Sequence, residues 1–363
     1  MRAFGLSFSV MLLSMGMGAC KTPQKDEILP PAECENTFPP SEYSVLGEES
    51  EEDDVALPPE SVFPDKLSDS ILYTDIRGKT VHDAVVPFTP QYPLWSDGAG
   101  KKRWVYLPEC TPVDTSDMNV WRFPVGTRFF KEFSIDGKRI ETRVIERIGE
   151  GSRDFAYGSY LWNEDESEAT LVSSEGLNNA KETSHDIPSK ADCLRCHGSA
   201  PRGGGIPSRG LGFSAQQLNY EGDGLTLQQL VVSDKLTDPP AAAFSVPGSS
   251  TEKAALGYLH ANCGSCHNAS SDGLPQVDLN LWLDVETDSV EETGAWQTAV
   301  GKPTALFSDQ HVNGRVVAGQ PAQSAIWYRM SQRGNNAQMP PIGTEKLDES
   351  GLEIIFQWIE ALP

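Results

Sequence analysis

Cationic residues are scarce in this 363-residue chain. Lys and Arg total 29 against 52 Asp and Glu, a net charge of -23. No basic run occurs anywhere, so a polyanionic partner such as nucleic acid would meet repulsion. Long apolar runs are missing as well. After the first twenty residues no stretch reaches eighteen continuous apolar residues, so no second segment reads as a membrane span. Phosphate-cradling motifs are also absent. The loop YPLWSDGAGKKRW at 92–104 contains glycines but neither G-x-x-x-x-G-K-[ST] nor G-x-G-x-x-G, and nucleotide binding has no support. Asp97, Lys101 and Lys102 within it read as a structural turn with surface charges. Hydrophobic residues make up 38% of the chain, enough for a sizeable core.

The N-terminus reads MRAFGLSFSVMLLSMGMGAC. Arg2 followed by a short apolar stretch is the pattern of a secretory signal over 1–19. The tetrad Met17-Gly18-Ala19-Cys20 resembles a bacterial lipobox, with Met17 departing from the pattern at its first position. That resemblance implies lipidation at Cys20. It places the chain at the periplasmic face of the outer membrane as a lipoprotein, with a soluble periplasmic protein as the other reading. The only membrane contact is then the lipid anchor. In an oxidising compartment Cys34 and Cys110 become a candidate disulfide.

Residues 20–60 read as an acidic tether, with six carboxylates in the seven positions 48–54. Residues 61–184 read as a β-rich domain, a sandwich or small barrel. KRWVYLP at 102–108, two aromatic runs within 121–135, KRIETRVIERI at 138–148, AYGSYLW at 156–162 and ATLV at 169–172 are its strands. Residues 185–245 carry a C-x-x-C-H pentad, whose two thiols and adjacent imidazole suit covalent haem attachment, and read as a first haem-binding segment with short helices predicted at 214–219 and 225–232. Residues 246–363 read as an all-α region. One helix is capped by Thr251, one spans 321–330, and the last spans 348–362 with Leu352, Ile355, Phe356, Ile359 and Leu362 on one face.

C-x-x-C-H occurs twice, as CLRCH at 193–197 and CGSCH at 263–267. Two thiols at this spacing bond the two vinyl groups of a haem as thioethers, and the adjacent His gives its imidazole to iron. A redox dithiol needs no following His, and a four-thiolate zinc site leaves His197 and His267 without a role. The sequence therefore implies two covalently bound haem c groups. Cys193, Cys196 and His197 hold one; Cys263, Cys266 and His267 hold the other. For the second iron Met339 is the distal candidate, in QMPPIG, where two prolines predict an extended, rigid strand. A thioether ligand raises the potential. For the first iron the candidates are His185, in a nearby loop, and His260, on the helix entering the second motif; an open position is the third possibility.

The stretch from Ala254 to Pro363 resembles a class I cytochrome c domain. More broadly, PLWSDGAGKKRWVYLP, FPVGTRFFKEF, IPSKADCLRCH, LGFSAQQLN, YLHANCGSCH and QMPPIG resemble a family of exported dihaem c-type cytochromes across 62–363. The resemblance implies one haem in the middle segment and one in the last domain. The resulting expectation is an electron carrier between periplasmic redox proteins. A dihaem peroxidase-like or oxidase-like enzyme with one open haem is the alternative. The lipobox reading is checked by Cys20→Ala, which is expected to abolish fatty-acid labelling and move the protein from the membrane to the soluble fraction; labelling that persists would contradict it.

Overall fold

The computed structural model describes residues 34–41, 62–151, 154–197, 210–269 and 277–363. The signal segment, Cys20 and the acidic run 47–54 lie outside the described residues. By its contacts the chain divides after Cys34, and all the described strands and helices belong to the unit Glu35–Pro363.

Aspartate followed by glycine is a strong hairpin signal, because both central residues of the tightest turn need positive φ. Asp136 and Gly137 take φ of 50° and 80°, and they join β5 (Arg128–Ile135) to β6 (Lys138–Arg147). Around this hairpin, β3 (Val86–Pro87), β4 (Gly100–Tyr106), β7 (Phe155–Trp162) and β8 (Ala169–Leu171) complete an antiparallel meander in the order β3-β4-β5-β6-β7-β8. β1 (Tyr73–Asp75) and β2 (Thr80–Val81) form a separate ribbon. Side chains alternate across the sheet. Trp104, Tyr106, Phe130, Val144, Tyr160 and Trp162 point to one core with Leu67 and Leu72. Val105 and Phe129 point to the other, with Trp121, Phe123 and Phe213. With both faces covered, the strands lose the polar-out pattern that makes a half-exposed sheet easy to read. Residues 35–41 lie along this sheet: Ser41 donates through N–H and hydroxyl to Glu146 at 2.8 Å each, and Arg128 donates to the Pro39 carbonyl at 2.9 Å.

The helices are α1 (Lys190–His197), α2 (Ala215–Leu218), α3 (Leu227–Val232), α4 (Ser250–Asn262), α5 (Gly294–Ala299), α6 (Ala325–Met330) and α7 (Glu349–Ala361). Ser249, not Thr251, caps α4. Its hydroxyl accepts from the Glu252 N–H, and the Glu252 carboxylate accepts from the Ser249 N–H, a capping box. Asp348 caps α7 through the Gly351 N–H at 2.9 Å. α4 and α7 share one core through Leu256, Leu259, Ile355 and Ile359. Trp358 is buried on the inner side of α7, while Phe356 is only partly buried and meets Trp327 edge-on.

The expected fold class is overturned. Among the described residues the protein is mixed α/β, with 24% helix and 19% strand, and no all-α cytochrome c-like haem region is evident. Nor, among the described residues, is the β part a sandwich or barrel: it is one open six-stranded sheet with β3 and β8 at its edges, beside the β1–β2 ribbon. The physical reason lies in the punctuation of the C-terminal half. Gly, Pro, Asn and Asp recur between short apolar runs, so of its helices only α4 and α7 reach thirteen residues. Among the described residues, the rest of that half is the short helices α5 and α6 and irregular chain packed against α4 and α7.

Phe213 anchors the segment before α2 to the sheet. It is 0% exposed and meets Phe88, Trp121 and Phe129 at ring distances of 4.9, 5.9 and 5.5 Å. Phe213→Ala is expected to cost about 3–5 kcal/mol, read as a lower urea midpoint.

Candidate functional site

The first motif lies on α1. The Ser189 hydroxyl donates to the Asp192 carboxylate at 2.7 Å and accepts from the Asp192 N–H at 3.2 Å, holding the first turn. Leu194 is buried against Phe155 and Tyr157 of β7, which fixes the helix on the sheet. The His197 ring lies 5.5 Å from the Tyr157 ring. The second motif continues the last turn of α4: the Cys263 and Gly264 N–H groups donate to the Leu259 carbonyl, and the His267 N–H donates to Cys263 O at 2.9 Å. A Cβ at Gly264 would sit 2.7 Å from the His260 carbonyl oxygen and 3.1 Å from that of Leu281, so only glycine lets the 281–282 backbone approach here. Asn268 closes the turn by donating to the Gly264 carbonyl at 2.9 Å.

Both motifs face the same cavity, of about 800 Å³. Cys193, Cys196, His197, Cys263, Cys266, His267 and Met339 all line it. The four thiols are free. Burial pushes those of Cys193 and Cys196 up to about 11 and that of Cys263 to about 12, and it raises Cys266 too. Cys266 lies close enough that a thiolate there would raise Cys196 further. These are neutral, desolvated thiols, unlike the low-pKa thiolate of a redox dithiol. Burial, with Arg329 and Arg315 nearby, lowers His267 to about 4, leaving the neutral imidazole that ligates metals. Among the described residues no group of three or more His, Cys, Asp or Glu is arranged to hold a metal ion, which a shared zinc site would require.

The other candidate ligands occupy quite different surroundings. His185 lines the cavity, is buried, and places Nε2 2.8 Å from Glu141 Oε2. Glu141 also receives Arg143 in a fork, at 2.8 and 2.9 Å. Burial pushes the Glu141 carboxyl up, but the charge of Arg143 and the hydrogen bond to His185 outweigh it and hold it at about 2. His260 does not line the large cavity. Its Nδ1 accepts from the Leu283 N–H at 3.1 Å, its ring lies 4.2 Å from that of Trp282, and it borders a separate pocket of about 30 Å³. Cys34 and Cys110 are both disulfide-bonded. Met330 is buried in the α4–α7 core and also reaches the cavity.

Met339 sits in a bend, not in the extended strand its prolines suggested. The bend is held from across the fold. Asp97 accepts from the Thr344 hydroxyl at 2.8 Å and from the Glu345 and Lys346 N–H groups at 2.9 Å each. The Trp95 indole donates to the Lys346 carbonyl at 3.1 Å, while the Trp95 N–H donates to Asn262 Oδ1 at 2.7 Å. One loop therefore clasps both the residue before Cys263 and the chain after Met339. Asp97 is therefore a long-range clasp, not the surface turn that the sequence suggests. The available signal was the Asp-Gly turn itself, with φ of 53° and 78°.

Asp97→Asn removes the charge from these hydrogen bonds. The expected loss is about 1–3 kcal/mol, with faster hydrogen exchange at the Glu345 and Lys346 amides and little change in β5 and β6. No family model, no curated protein and no solved structure matches this chain, so its reading rests on the cavity's own geometry and chemistry.

Proposed function

We propose that this protein is an exported dihaem c-type cytochrome that carries single electrons between periplasmic redox partners. The observation that carries the proposal is that two C-x-x-C-H motifs, far apart in the chain, turn four free, neutral thiols and two histidines into one cavity. The donor set fits the group. Cys193 and Cys196, with His197, would hold one haem; Cys263 and Cys266, with His267, the other; Met339 is the distal candidate for the second. Bound haem iron supplies a one-electron couple, which the protein tunes through ligands, burial and nearby charge.

The chain's own residues do the rest. The turns after Ser189 and around Gly264 present each pair of thiols on one side of a helix end. The clasp at Asp97 holds the Met339 bend against the cavity. Leu279, Leu281, Phe307 and Ile342 supply apolar wall, which keeps water off the groups held there. The closeness of Cys196 and Cys266 favours electron exchange between the two sites. Export and a lipid anchor at Cys20 belong to the same proposal; no helix among the described residues is long and apolar enough to cross a membrane.

One observation favours the enzyme reading. His185 and Arg143, both gripped by Glu141, face the same cavity as His197. A histidine at the cavity can move a proton, and an arginine beside it can stabilise developing negative charge. The two readings separate by carbon monoxide binding to the reduced protein. A carrier with closed irons shows none, and rapid binding at one haem supports the enzyme. The proposal as a whole is tested by mass spectrometry of protein made in cells with haem-attachment machinery. The processed chain is expected to carry two haems, and the double variant Cys193→Ser/Cys196→Ser one. Bare polypeptide mass in the unaltered protein would overturn it.

A further inference from the structure

Arg103 of β4, Lys131 of β5 and Arg143 of β6 are direct cross-strand partners, Arg103 opposite Lys131 and Lys131 opposite Arg143. All three line the cavity. Like charges facing each other across strands are destabilising, and burial makes them more so. In a chain of net charge -23 such a row calls for a cause. Arg143 is satisfied by its fork to Glu141. Lys131 and Arg103 have no ion-pair partner among the described residues; Lys131 only leans over the Phe133 ring, at 4.7 Å. Arg103 is 9% exposed, and burial brings its guanidinium down to about 10. Lys131 keeps some accessible surface because it faces the cavity, yet the protein packed around it pushes its ammonium well below the ordinary value.

The row has a direction. β7 pairs with β6 beside Arg143, and Cys193 and Leu194 pack against Phe155 and Tyr157 of β7, so the first cysteine motif lies at the Arg143 end. Lys131 and Arg103 come next at successive strand spacings, reaching about 10 Å from that end. A haem has its two vinyl groups toward one edge and its two propionate carboxylates toward the opposite edge. Thiols at one end of the row and unsatisfied cations at the other match that polarity.

We propose that Lys131 and Arg103 form a carboxylate-recognition site that receives the propionate edge of the haem bonded at Cys193 and Cys196. The inference rests on the dihaem reading above and adds which haem edge the sheet binds. Two cations offset two carboxylates, so the repulsion within the row becomes attraction once the haem is in place. The same charge favours the reduced form of that haem.

The test uses full-length, haem-loaded protein, with spectroelectrochemical titration of Lys131→Met and Arg103→Met, which keep the aliphatic stems. Each variant is expected to shift the equilibrium of one haem about tenfold toward oxidation, or about 59 mV for a one-electron couple, and to leave the other haem in place. Lys131→Arg is expected to restore the potential. If Lys131→Met does not retain its haem, Lys131→Arg carries the test: recovered haem and potential support the site, and failure overturns it. Unchanged potentials in both methionine variants at full haem content overturn it. So does a saturable shift of the unaltered protein on adding acetate or inorganic phosphate, if Lys131→Met abolishes it, because the cations then bind a soluble anion. Absence of haem from the unaltered protein is a separate outcome, and it would remove the dihaem reading itself.

Discussion

The cavity depends on one antiparallel sheet being buried on both faces. On one face, Trp104, Phe130, Val144 and Tyr160 pack into a dry aromatic core with residues 67 and 72. That core holds β4–β7 rigidly in register, and the register decides what the opposite face presents. It presents Arg103, Lys131, Arg143, Tyr157 and Ser159 to the space where both cysteine motifs converge. A slip of one residue in β4, β5 or β6 would turn its cation into the aromatic core and bring an apolar side chain into the cavity.

The electrostatics of this face run against those of the whole protein. A strongly acidic chain gathers buried cations on three adjacent strands. The carboxylate of Glu141 is placed among them, held between Arg143 and His185. A buried ion pair of this kind adds little net stability after its desolvation cost, yet breaking it strands a charge. Local rules that favour folding are broken here in the way expected of a functional surface, where binding and not stability sets the residue choice. The aromatic core and the α4–α7 core carry the stability that such a surface lacks.

Legibility in the sequence tracked the range of the interactions involved. The strands at 102–108, 138–148 and 156–162 were visible because alternation and flanking turns are local, although burial of both faces blurred their register. α4 and α7 were visible from their caps and apolar periodicity, with the cap of α4 falling on Ser249 instead of Thr251. The C-terminal half departs from the all-α expectation because the local signals of α4 and α7 say nothing of the residues between them. The intervening residues are rich in Gly, Pro, Asn and Asp, and their helices α5 and α6 stop at six residues each. The role of Asp97 was hidden because its partners, Thr344 to Lys346, lie at the other end of the chain.

What the sequence by itself determined is the chemistry of the two pentads: two thiols and an imidazole within five residues, whose relative placement is set by one turn of chain. Their shared cavity was decided only by the tertiary structure. So were the pairing of His185 with Glu141 and the row of cations opposite the thiols. The physical reason is that a covalent spacing of a few residues fixes geometry locally. Which side chains meet across a cavity depends on strand register and packing between segments that the chain itself holds far apart.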